Sequence, residues 1–132
     1  MGKVKGVYHV AMGTHSLIFF QQKCGDIIRT YAIVYQQLDG FPDVVGLDLA
    51  EFLSYTPIDY HGMGALAAQF IADKQNIIYL YPFEDEEKEE FNYYVIAEDG
   101  KIKIKIEQDG KESKEMTPKE FKKYCTNKEW WS

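Results

Sequence analysis

The chain is poor in cysteine, has no long apolar run and lacks any excess of positive charge, and each shortage closes off a class of protein. Its two cysteines, Cys24 in an expected turn and Cys125 on an expected helix, are too few for a disulfide framework. Reduced thiols in an intracellular protein are the simplest reading. No stretch reaches the roughly 20 apolar residues that a membrane-spanning helix needs. Met1-Gly2-Lys3-Val4-Lys5 is not followed by a signal-like region, and Gly6 and Leu17 stand where myristoylation after Met1 or Met12 wants Ser or Thr. No membrane association is expected. With 21 acidic against 15 basic residues and a net charge of −6, no overall basic field is available to hold a phosphate backbone, so nucleic acid is an unfavoured partner.

Catalytic signatures are missing as well. Neither the Walker pattern nor the dinucleotide fingerprint occurs, and no His or Cys partner stands at a spacing that would close a metal site with His9 or His15. Cys24 has no local signature of a nucleophile, although His15 or His61 could serve it from elsewhere in the chain. Carboxylates such as Asp39, Asp43 and Glu51 pair on paper as they do in most acidic proteins. No catalytic residue, metal or cofactor is assigned, and a non-enzyme is the expectation.

What the chain does have is material for one core. With 132 residues, 45% of them hydrophobic, and eight Phe, ten Tyr and two Trp, it can fill a single domain over 1–132. Residues 1–11 read as an N-terminal extension and 84–90 as a solvated acidic loop. Leu17–Gln22 and Tyr31–Gln37 are β-branched and aromatic, with Ile27 and Ile28 extending the second arm, and predict an antiparallel hairpin. Asp43 is expected to cap a helix whose Val45, Leu49, Phe52 and Leu53 form an apolar stripe, leaving Asp48 and Glu51 for water. Gly46 in its first turn calls for a compensating close approach.

A second helix over Met63–Lys74 carries Met63, Leu66, Ala67, Phe70 and Ile71 on one face and Ala65, Ala68 and Ala72 on the other. It is expected to be buried on more than one side: its small alanines let a sheet or another helix approach closely, and a second copy of the chain could cover the outer face. Asn76–Tyr81 reads as a strand inside the sheet, ended by Pro82. Phe91–Ala97 and Lys101–Glu107 form a hairpin on Asp99-Gly100, with lysines and isoleucines alternating, and Asp109-Gly110 turns into a short strand. Thr117-Pro118-Lys119-Glu120 is a capping box that opens a helix striped by Phe121, Tyr124 and Cys125. Trp130 and Trp131 beyond it must fold back or meet a partner. The sum is an α+β fold: a mostly antiparallel five- or six-stranded sheet with two helices on one face and a short C-terminal helix.

Two glycine-rich turns precede helices, at Asp39-Gly40 and at His61-Gly62-Met63-Gly64. If Asp39, Gly40, His61, Gly62 and Gly64 met at one sheet edge, helix N-termini and an imidazole oriented by Asp39 would suit a phosphate or carboxylate, or a hydrolase. Turn chemistry demanding positive φ explains the same glycines more simply. Ala65, Ala68, Ala72, Trp130 and Trp131 are the candidate interface. Lys101, Lys103, Lys105 and Lys111 beside Tyr93 and Tyr94 offer a weaker nucleic-acid surface, and alternation accounts for the lysines.

Met12-Gly13-Thr14-His15-Ser16-Leu17, Val34-Tyr35-Gln36-Gln37-Leu38-Asp39-Gly40-Phe41-Pro42, Leu49-Ala50-Glu51-Phe52-Leu53, Gly62-Met63-Gly64-Ala65-Leu66-Ala67-Ala68-Gln69 and Ile78-Tyr79-Leu80-Tyr81-Pro82 follow one another in order. Over residues 12–97 they resemble a family of uncharacterised small proteins of giant DNA viruses, marseillevirus-like, with relatives in bacteria. The chain departs from that pattern in His15, in Gln36-Gln37 and in a shortened Asp59-Tyr60-His61, where the family has Arg, Arg-Gln and a longer glycine-rich piece. The resemblance implies a viral protein in host cytoplasm or nucleus and carries no activity, cofactor or substrate. Together with the missing chemistry, it predicts an accessory protein that acts as a homodimer and binds a host or viral protein.

Overall fold

A computed structural model describes residues 14–37, 39–55, 62–74, 78–80 and 88–131. The expected N-terminal extension, His9, His61, Pro82 and residues 84–87 of the acidic loop lie outside them.

Strands β1 (Ser16–Cys24) and β2 (Ile27–Gln36) form the predicted antiparallel hairpin, joined by Gly25-Asp26 with Gly25 at φ 61°. It is longer than apolar residues alone suggested, because regular pairing runs on to Cys24 opposite Ile27. Ala32 opposes Phe20 while Thr30 opposes Gln21, so Tyr31 is the extra residue of a β-bulge. After the helices and β3 (Ile78–Leu80) come β4 (Phe91–Glu98), β5 (Lys101–Gln108) and β6 (Lys114–Met116). Asp99 at φ 53° and Gly100 at φ 75° make the turn between β4 and β5, as Asp-Gly requires. Ile104 and Ile106 are buried while Lys101 and Lys103 face water, as the alternation predicts.

The sheet order is β3-β2-β1-β4-β5-β6, antiparallel throughout except for the parallel pair β1 and β4. The fold is α+β with a mixed, mostly antiparallel sheet. One placement differs from expectation: β3 stands at the end of the sheet rather than inside it, pairs with β2 over three residues, and leaves Leu80 57% exposed. An apolar run cannot distinguish centre from edge, and the inner position beside β1 is taken by β4.

The first helix also starts differently. Phe41, not Asp43, occupies the N-cap, and its carbonyl accepts from the N–H groups of Val44 and Val45, both at 3.0 Å. Pro42, with fixed φ and no N–H to leave unsatisfied, suits the position that follows. The wide turn Pro42–Gly46 continues into α1 (Leu47–Tyr55), which buries Leu49, Ala50, Phe52 and Leu53. Gly46 shows the predicted close approach, since a Cβ there would lie 2.8 Å from Cys125 Sγ.

Helix α2 (Gly62–Asp73) buries Met63, Leu66, Ala67 and Phe70, but Ala68 and Ala72 are exposed and Ala65 is half-buried. Within the chain the helix is therefore buried on one side rather than two. Helix α3 (Pro118–Thr126) has the full capping box: Glu120 N–H donates to Thr117 Oγ1 at 3.1 Å, and Thr117 N–H donates to Glu120 Oε1 at 2.9 Å. Phe121, Tyr124 and Cys125 are buried, and a 3₁₀ turn, Glu129–Trp131, follows.

Helices α1, α2 and α3 contribute to one core with Ile18, Phe20, Val34, Tyr93, Val95, Ile104 and Ile106, which share one face of the sheet. The opposite face buries a smaller cluster of Leu17, Phe19, Ile33, Tyr35, Tyr94 and Ile96, with Phe19 and Tyr94 stacked at 4.5 Å. Among the described residues no helix is long and apolar enough to cross a membrane.

Candidate functional site

Asp39 adopts φ 58°, so the left-handed residue of the first turn is Asp39 and not the glycine after it. Gly40 is needed for space. A Cβ there would stand 2.7 Å from the carbonyl carbon of His15 and 2.9 Å from Ser16 Cβ. Its N–H donates to the Thr14 carbonyl at 3.0 Å, and its carbonyl accepts from the Tyr93 hydroxyl at 2.8 Å. Tyr93 is fully buried, and that burial pushes its phenol well above the ordinary range. The Gly40 amide is therefore committed to holding the turn against the start of β1, and the Val44 and Val45 amides to the helix start.

The second turn lies elsewhere on the sheet. Gly62 opens α2 at φ 82°, and Gly64 faces Tyr31, whose Cδ2 would be 3.5 Å from an added Cβ. Gly40 packs on Ser16, whereas Tyr31 lies beside Ala32 opposite Phe20. Phe20 stands four positions beyond Ser16 along β1, about 13 Å of extended chain. Gly40 and Gly64 thus rest on different parts of the hairpin, and His61, the fifth member of the predicted cluster, lies outside the described residues.

His15 meets a carboxylate, with Nδ1 3.5 Å from Glu89 Oε1, and its ring lies 5.5 Å from that of Tyr35. Among the described residues no group of three His, Cys, Asp or Glu side chains is placed to hold a metal ion. Cys24 is exposed at the hairpin end. Cys125 is buried, and desolvation, with Asp43 second, pushes its thiol up to about 12. A thiol held protonated in this way is a poor nucleophile. On the lysine hairpin, Tyr93 and Tyr94 are buried, Tyr94 donates to Glu107 Oε1 at 2.7 Å, and Lys105 sits 4.4 Å from the Tyr94 ring centroid. Neither tyrosine face is open for a base to stack on.

The two tryptophans part company. Trp130 packs back on Phe41 and Phe91, at 5.9 and 5.7 Å between ring centroids. Trp131 remains 67% exposed, stacked on Trp130 with Lys128 over its ring. On α2, Gly64, Ala68 and Ala72 fall at i, i+4 and i+8, so one face presents three small exposed residues in line, with the half-exposed Tyr31 beside the first.

Sequence reasoning missed a groove of about 310 Å³ between α1 and α2. Phe52 and Phe70 line it in an edge-to-face contact at 5.3 Å. Asp48, Glu51 and Tyr55 line it from α1, and Asp73 and Lys74 from the end of α2. The spacing i, i+3, i+7 of Asp48, Glu51 and Tyr55 marks one line along a helix, but nothing local tells which helix faces that line. The chain matches no family model, no curated protein and no solved structure.

Proposed function

We propose that the chain is a non-catalytic accessory protein of a large DNA virus, acting inside the host cell as a homodimer that binds a host or viral protein. The viral part rests on the five ordered segments that resemble the giant-virus family. The observation that carries the binding part is the line of Gly64, Ala68 and Ala72 with Tyr31 alongside. Three small residues one turn apart leave a shallow trough into which a second helix can settle, and a two-fold axis through such a trough sets it against its own copy. Exposed Trp131 adds an aromatic anchor of the kind enriched where proteins meet.

Light scattering on a sizing column tests the self-association. The expected mass is that of two chains of 15.3 kDa each, and Ala68→Arg is expected to give a monomer that keeps the wild-type circular dichroism spectrum and whose melting temperature, unlike that of the wild type, does not rise with protein concentration. A monomeric wild-type chain at micromolar concentration would remove the dimer from this reading.

A further inference from the structure

We infer that the groove between α1 and α2 is a docking site for an arginine-bearing, partly apolar segment of a partner protein. This names a partner class within the reading above and rests on it only in that both concern protein binding.

The argument is one of charge and shape. Among the described residues Lys74 is the one cation that lines the groove; its side chain is 7% exposed, and its ammonium is held by Asp48 at 2.8 Å and lies 5.8 Å from the Phe70 ring centroid. Asp48 is answered by that contact, whereas the exposed carboxylates of Glu51 and Asp73 remain across the groove from each other's helix. Among the described residues that line it, the groove therefore carries three acidic side chains against one cation. Tyr55 stands beside it 79% exposed, the most exposed of the large hydrophobic side chains described.

A guanidinium suits this combination better than an ammonium. It can lie flat on the tyrosine ring and present its fork to a carboxylate at the same time, while an ammonium acts as a compact, strongly hydrated point charge. Phe52 and Phe70 form the groove's floor, buried but for their edges, on which an apolar side chain next to the arginine can rest. The volume of about 310 Å³ holds a few side chains rather than a domain, which points to a short segment.

The test uses the full chain and a short fluorescein-labelled peptide with arginine and leucine at i, i+4 spacing, read by anisotropy. Binding is expected below about 100 µM, weakening severalfold with added salt. The double variant Glu51→Lys, Asp73→Lys should lose at least tenfold, and the same peptide with lysine for arginine should bind severalfold more weakly. Because an acidic chain attracts any basic peptide, Glu112→Lys with Glu115→Lys, at acidic positions away from the groove, serves as the control and should stay within twofold. Equal loss in both double variants, or no binding to the wild type, overturns the inference. Light scattering on the same samples separates the two readings. A monomer that binds the peptide keeps the groove and loses the dimer, and a dimer that falls apart on adding peptide assigns the groove to a second copy and overturns it.

Discussion

At the scale of single residues, close packing accounts for Gly40. Gly40 is the point where the chain passes close enough to His15 and Ser16 that no Cβ fits. Gly40→Ala is expected to destabilise the protein by about 2–3 kcal/mol, from overpacking against backbone that cannot give way, measured by urea denaturation. Tyr93→Phe leaves the Gly40 carbonyl without its buried donor and should cost about 1–3 kcal/mol in the same experiment. Cys125 supplies a pH dependence. Its thiol and the Tyr93 phenol are neutral when protonated, and both are raised in the fold, so the folded state keeps protons that the unfolded chain gives up. The stability this provides is whole below the unfolded thiol's value near 9 and is lost as pH rises through about 12. Melting temperature should therefore fall between pH 9 and pH 11, and Cys125→Ala, although less stable overall, should show a shallower decline over that span.

At the scale of elements, local signals were read well where one stretch of chain contains its whole cause. The capping box at Thr117 and Glu120 forms both reciprocal bonds because residues three apart are all it requires. Thr117→Ala is expected to cost about 1 kcal/mol, visible as a drop in melting temperature, because it strips one amide at the start of α3 of its acceptor. Asp99-Gly100 makes its turn for a similar reason, since positive φ at both positions is a property of those two residues. Signals failed where the deciding partner lies far along the chain. Asp43 looked like a cap, but Pro42 fits the first helical position and moves the start upstream. Asn76–Tyr81 looked like a central strand, but which strand lies beside β1 is settled by a crossover, not by hydropathy. The alanines of α2 were legible as a face, and the single chain leaves Ala68 and Ala72 exposed on it. The groove beside Tyr55 was invisible, being made by two helices whose contact no local spacing encodes.

At the scale of the whole molecule, the two cysteines report on different events. Cys24 sits exposed at a hairpin end, and Cys125 lies in the core against Gly46. Native protein treated with iodoacetamide is expected to lose one thiol quickly, and the second only at the rate of global unfolding, with mass spectrometry assigning the fast site to Cys24. Comparable labelling of both would mean that α3 detaches on its own. The parallel seam between β1 and β4 has a further consequence. Gln22 Nε2 reaches the Ala97 carbonyl at 3.2 Å across a separation of 75 positions, while the other pairings among the described residues are antiparallel. The hairpins β1–β2 and β4–β5 close from near neighbours, but stitching one to the other means closing a very long loop with two helices threaded through it. That seam is the costliest closure the sheet makes, and a substitution that weakens it, such as Gln22→Ala, is expected to slow refolding in stopped-flow mixing more than one in either hairpin's own turn.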